Sequence, residues 1–186
     1  MLVPRSVLVI AGMTLLTALP AQAQLSRTLD EMAAQHVLLG TTPEGAVTEF
    51  IEACFVYMNP ATRDAGREML QFLALPLQSD ADWDQLPGQR LFVEYLVDGD
   101  RRHIWRSYIK GSSPENGYRM NPDDWILSFA RGEFEDEGRS MSVDVYSSGA
   151  DDPRPVYAKL DQESGLWYVA SWDALLQPVR PPVARR

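Results

Sequence analysis

Between residues 42 and 58 the apolar side chains Ala46, Val47, Phe50, Ile51, Cys54, Phe55 and Met58 recur at spacings of one, three and four. That spacing lays one apolar stripe along a helix. Thr42 is a capping residue, Pro43 suits the first helical position, and Glu44 complements the positive end of the dipole. Asn59-Pro60 ends the element. Cys54 falls in the middle of the stripe and is expected to be a small buried hydrophobe rather than a nucleophile. A weaker stripe, Leu25, Leu29, Met32, Ala33 and His36, predicts a helix over 25–39 that Gly40 closes. A third helix is predicted over 62–75, with Ala65, Met69, Phe72 and Leu73 on one face and Pro76 at its end. Residues 78–88 are acidic and irregular, anchored by Trp83. Leu91, Phe92, Tyr95 and Leu96 suggest a short fourth helix, entered through Pro87 and ended at Asp98-Gly99-Asp100, with a strand as the competing reading.

From residue 103 the period reads as two, the mark of half-buried strands. Strands are expected at His103–Lys110, Trp125–Ala130, Met141–Tyr146, Val156–Asp161 and Leu166–Trp172. Glu163-Ser164-Gly165 makes the last two an antiparallel hairpin. Short connections throughout favour an antiparallel sheet, since parallel strands need long crossovers. Helices first and strands second give an α+β class, with N-terminal helices packed on one face of a curved antiparallel sheet. The tail Gln177-Pro178-Val179-Arg180-Pro181-Pro182 is too proline-rich for helix or central strand and should run extended.

Residues 1–23 read as an export signal. Arg5 supplies the positive region, Val7–Leu19 the apolar region, and Ala21-Gln22-Ala23 the small-x-small cleavage pattern. The apolar run is short for a bilayer span of about 20 residues. The expected organisation is therefore a signal peptide over 1–23, an N-terminal segment over 24–41, one α+β domain over 42–177, and an extended tail over 178–186. The product would be periplasmic or secreted, with no stable membrane insertion after cleavage.

Composition narrows the partners. The chain has 186 residues, 17 basic and 26 acidic, for a formal net charge of −9. Loss of residues 1–23 removes only Arg5 among ionisable side chains and takes the net charge to −10. Such a balance excludes nucleic acid, whose phosphates need clustered Lys and Arg. One cysteine and two histidines leave little for a zinc site, so no metal and no cofactor is expected.

Several segments resemble one family of exported bacterial proteins known only as a domain of unknown function. They are Thr42-Pro43-Glu44-Gly45-Ala46-Val47, the run Ser107–Tyr118, Asn121-Pro122-Asp123-Asp124-Trp125, the run Val145–Val156, Gly165-Leu166-Trp167-Tyr168-Val169 and Val179-Arg180-Pro181-Pro182. The resemblance covers about residues 42–182 and implies an NTF2-like (cystatin-like) cone of helices on a curved sheet. It brings no catalytic residues.

The candidate chemistry is sparse. His36, ending a helical stripe, is expected at a surface or interface. His103, beside Asp100, Arg101 and Arg102, is a weak candidate general base. The acidic groups Asp98-Gly99-Asp100, Asp123-Asp124, Glu133–Glu137 and Asp151-Asp152 lack EF-hand spacing, and Glu133–Glu137 reads as a solvated hairpin loop. Asp144 alternates with Val143 and Val145 and should face solvent. In the loop 147–155, Gly149 permits a positive φ, Pro153 and Pro155 stiffen the exit, and Arg154 can pair with Asp151 or Asp152. The aromatic residues Trp105, Tyr108, Trp125, Tyr146, Trp167 and Tyr168 either fill the core or line a pocket. No Ser-His-Asp set, Gly-rich phosphate loop, HExxH or CxxC is present. The leading expectation is a non-enzymatic module contacting an unknown protein or small-molecule ligand through Trp105, Tyr108, Tyr146, Trp167, Asp151, Asp152 and Arg154. A small cofactor-free NTF2-like enzyme (isomerase, dehydratase or hydrolase type) using His103 or a buried carboxylate is the alternative. A structural homodimer through the open sheet face is the third.

Overall fold

The computed structural model describes residues 28–121, 125–130 and 132–183. The expected signal segment 1–23 lies outside them. Among the described residues five helices precede a four-stranded sheet, so the α+β class holds. Helix α1 (Leu29–Leu39) starts at a reciprocal capping box, in which Thr28 and Glu31 each accept the other's backbone N–H. Helix α2 (Pro43–Met58) is capped by the Thr42 hydroxyl, which accepts the Gly45 N–H at 3.1 Å. Twelve of its 16 residues are buried, so it is the central helix rather than a surface one. Helix α3 (Arg63–Leu73) crosses it closely. A Cβ on Gly66 would lie 2.3 Å from the Tyr57 backbone nitrogen, so only glycine permits this approach.

Between α3 and α4 (Arg90–Val97) the chain makes three short 3₁₀ turns. Trp83 anchors this stretch, fully buried, with its indole N–H donating to the Arg67 carbonyl at 3.3 Å. Its ring joins a cluster with Phe50, Phe92, Trp105 and Trp172 that ties α2, α4 and α5 together.

The strand expected at 103–110 is instead helix α5 (Arg102–Arg106) followed by a tight turn. Ile104, Trp105, Tyr108 and Ile109 are all buried. Two doublets four apart form one helical face, and that period outweighs the apparent alternation.

The sheet is an open antiparallel meander in the order β1 (Glu133–Glu135), β2 (Ser140–Val145), β3 (Arg154–Asp161), β4 (Leu166–Ser171). Residues 125–130 add only isolated bridges, Leu127 to Ile109 and Phe129 to Val145, rather than a full strand. The acidic run 133–137 is also not simply a loop. Its first three residues form edge strand β1, pairing Phe134 with Met141, and a turn with Asp136 and Glu137 at positive φ follows. The run is exposed throughout, and the Phe134 ring rests near Trp167, which lets so acidic a strand pair. Helix α2 packs across β2, β3 and β4, and Val143, Val145, Val156, Ala158 and Val169 fill the space beneath it. Hairpin β3–β4 turns where Asp161 accepts the Ser164 N–H and hydroxyl and Gly165 takes φ +71°.

The N-terminal segment enters the fold as α1, packed on α2 and α3, and the Gly40 carbonyl accepts the Trp167 N–H at 2.7 Å. No helix of the described residues is long and apolar enough to cross a membrane.

Candidate functional site: an arginine-lined groove

Three segments distant in sequence meet beside α5. Ser147 donates to Ser107 at 2.7 Å, Ser107 in turn donating to the Ile104 carbonyl at 2.6 Å, and the Gly149 N–H donates back to Ser147 at 3.2 Å. The Ser148 N–H donates to the Ser107 carbonyl at 2.8 Å, and Ser112 and Ser148 hydroxyls lie 3.2 Å apart. Onto this seam the C-terminal segment is strapped. The Arg180 N–H donates to Gly149, the Tyr118 hydroxyl donates to the Arg180 carbonyl, and the Val183 N–H donates to Pro114. Every one of these serine hydroxyls is hydrogen-bonded within the seam, which fastens the three segments together.

The fastening fixes the next residues, Arg119 and Met120. Asn116 Oδ1 accepts both the Ser113 and Arg119 N–H groups, at 2.9 and 3.1 Å, and holds the loop rigid. Arg119 and Met120 then form one wall of a groove of about 570 Å³. Phe55, Met58, Asn59 and Pro60, at the C-terminal end of α2, form the floor, and Arg102 and Arg106 of α5 complete it. Its size falls within the ordinary range of small-molecule sites, about 300–1,000 Å³.

Arg102 and Arg106 stand one helical turn apart and so share a face. Arg102 reaches the Met58 carbonyl only weakly, at 3.5 Å, while its buried Nε has no partner among the described residues. Among the described residues the side chains of Arg106 and Arg119 have no ion pair or hydrogen bond either. Arg101, by contrast, pairs with Asp98 at 3.2 Å and stacks over Tyr95 at 4.4 Å. No carboxylate is among the described residues that line it. In a chain of net charge −9, three guanidinium groups with no ion pair among the described residues gather on one apolar-floored groove.

The residues singled out from sequence are dispersed. Trp105 is core, its indole donating to Tyr95 at 2.9 Å. Tyr108 is buried and donates to the Leu175 carbonyl at 2.9 Å, and burial pushes its hydroxyl pKa far up. Trp167 is buried, while Tyr146 is half exposed on the surface. Asp151 and Asp152 are exposed at the seam's edge. Arg154 pairs with neither: it donates to the Pro178 carbonyl at 3.4 Å, and Asp151 takes Arg180 at 3.5 Å. Gly149 does not take a positive φ. It is glycine for room, since a Cβ there would lie 2.3 Å from the Tyr118 hydroxyl. His103 is half-buried beside Tyr118, ring centres 5.7 Å apart, with its Nδ1–H on the Asp100 carbonyl at 2.7 Å. Asp144 is only half exposed. Trp125 packs on Phe55 of the groove floor, ring centres 6.0 Å apart.

His36 is not at a surface. It is fully buried, Nδ1 2.7 Å from Glu49 Oε2, with its ring against Phe72 and Tyr168. The position pairs two polar groups across the α1–α2 seam, which sequence spacing along one helix does not show. Burial raises the Glu49 carboxyl above its usual range, the His36 hydrogen bond opposing that rise. The described residues contain no cluster of three or more His, Cys, Asp or Glu side chains able to hold a metal.

Fold and groove together define a small α+β domain with a meander sheet and a cationic groove set between helix ends and a fastened loop. The sequence matches the family model of DUF6935, a domain of unknown function, over residues 24–183, and the chain belongs to that family. No curated protein and no solved structure gives a significant match to the chain.

Proposed function

We propose that this chain is an exported binding module, not an enzyme, and that the Arg102–Arg106–Arg119 groove holds an organic anion. The observation that carries the reading is the combination, in one cavity of ligand size, of an apolar floor with guanidinium groups that have no ion pair among the described residues. Arginine is the side chain best suited to oxyanions, because its planar fork offers paired donors. The groove's lining residues are Phe, Met, Asn, Pro and Arg, which bind and orient but do not transfer protons at neutral pH. The reading does not depend on an NTF2-like cone, in which a ligand would sit between helices and sheet. Here that space is occupied by Phe50, Ile51 and the sheet valines.

Thermal unfolding of the full chain with and without millimolar organic anions tests it. An anion that binds the folded state alone raises Tm, and Arg106→Gln/Arg119→Gln should abolish the rise. A rise that survives in that variant removes the groove from the reading.

A cofactor-free enzyme is the second reading, and one observation favours it. The Asp100 carbonyl fixes the proton on His103 Nδ1, which leaves Nε2 as an acceptor of the kind a general base presents. Loss of a substrate turnover in His103→Ala, with ligand affinity unchanged, would move the assignment to this reading.

A further inference from the structure

We infer that the ligand of the groove is a single-chain aliphatic carboxylate, its head on Arg102 and Arg106 and its chain along Phe55, Met58 and Met120. The inference rests on the reading of the groove as an organic-anion site and adds the chemistry of the body and the place of the head.

The head follows from Arg102. Its Nε is buried with no partner among the described residues, and its Nη2 has only the 3.5 Å contact to the Met58 carbonyl. Leaving a buried donor of a charged group unmet costs more than an ordinary hydrogen bond returns. An oxyanion that draws the guanidinium toward the groove meets that edge with two parallel charge-assisted bonds. Arg106, one turn on, has no side-chain hydrogen bond or ion pair among the described residues and can close over the same head.

The body follows from what the rest of the groove lacks. A sugar, nucleotide or peptide brings many hydroxyl or amide groups, and each needs a polar partner when desolvated. Apart from the arginines, Asn59 is the one polar side chain among the described residues of the lining. Phe55, Met58, Pro60 and Met120 supply apolar surface instead. Two of them are methionines, whose unbranched thioethers adapt to a flexible chain. The site is thus cationic at α5 and apolar along α2, which is the polarity of an alkanoate.

Titration calorimetry of the full chain with acetate, hexanoate, octanoate and decanoate, below their micelle concentrations, tests this. Affinity should rise about fourfold per added methylene until the groove is filled, the fold-change equivalent of about 0.8 kcal/mol per buried CH₂. Decanol should bind at least tenfold more weakly than decanoate. Arg106→Gln should weaken decanoate tenfold or more, Arg119→Gln, outside the head, should weaken it less, and Met120→Asp should flatten the chain-length series. Arg106 and Arg119 lie outside the hydrophobic core cluster, whereas Met120 packs against its edge, so circular dichroism checks that each variant keeps its fold. Equal affinity for acetate and decanoate overturns the aliphatic body and leaves the organic-anion reading standing. Equal affinity for decanol and decanoate overturns the head assignment. No binding of any of the four, and of no other organic anion, overturns both readings together.

Discussion

His36 Nδ1 and Glu49 Oε2 meet at 2.7 Å in the seam between α1 and α2, with both side chains closed off from solvent. The other polar atom of each, His36 Nε2 and Glu49 Oε1, has no hydrogen-bond partner among the described residues. The pair therefore joins α1 to the domain through one strong bond and two unmet groups. Burial of such a pair is weak evidence for stability, but removal of one partner exposes its full cost. His36→Ala should destabilise the domain by about 3 kcal/mol or more, whereas His36→Leu/Glu49→Leu should cost much less. Urea unfolding of the two variants and wild type measures the difference. A double variant as unstable as His36→Ala would show that α1 is held by packing and not by the pair.

Glu49 also gives the stability curve a direction. Burial raises its carboxyl above the ordinary value of 4.5 in the folded state, although His36 opposes this. A carboxyl with a raised folded pKa binds its proton more tightly when folded. It therefore favours folding fully below about 4.5, and that contribution is lost as pH rises through the folded value. Wild type should lose stability relative to Glu49→Gln as the pH is taken upward from about 4. Paired urea titrations at several pH values read this as a difference that changes sign or size with pH. A difference that is flat, or that moves the other way, removes Glu49 as its source.

The seam of loops predicts a coupling. A Cβ on Gly149 would meet the Tyr118 hydroxyl at 2.3 Å and Val179 at 2.8 Å. Gly149→Ala should therefore cost about 1–3 kcal/mol, the usual range for overpacking. Tyr118→Phe loses the bond to Arg180 but opens the same space. The double variant should be more stable than the sum of the two losses implies, by at least 0.5 kcal/mol, since the residues share one contact. Strict additivity in a double-mutant cycle would place the strain of Gly149→Ala elsewhere, on Val179.

Helix α2 was legible because its cap, its proline and its stripe all agree, and those signals are local. The hairpin β3–β4 was legible for the same reason. Helix α5 was not, because it is only five residues long and the alternation at His103, Trp105, Ser107 and Ile109 masks the two doublets that set its face. The groove was hidden by that same misreading. Arg102 falls just outside the strand expected at 103–110 and so is not set beside Arg106, and Phe55 and Met58 read as core in a stripe that is otherwise core. Glu49 and Glu52 did carry a signal. Both interrupt an α2 apolar on nearly every side, and a carboxylate there must find a partner from another element. His36 is that partner for Glu49, and Gln35, donating at 3.3 Å, is one for Glu52. The loops at 107–118 and 145–156 likewise become interpretable only in three dimensions, where Ser107, Ser112, Ser147, Ser148, Tyr118 and Arg180 converge.

Cys54 closes the predictions with a kinetic one. It is fully buried within α2, and burial lifts its thiol pKa well above the model-peptide value of 9.0. The thiolate is the reactive form, so both access and ionisation are denied while the helix stays packed. In an oxidising compartment this would keep a lone cysteine from mixed disulfides. A thiol reagent such as dithionitrobenzoate should react in native buffer only as fast as the domain opens. Its rate should rise with urea along the same slope as global unfolding, because α2 lies against β2, β3, β4 and the neighbouring helices and has no local way out. Reaction within seconds in native buffer, independent of urea, would mean that α2 opens on its own and that the core assignment of Cys54 is wrong.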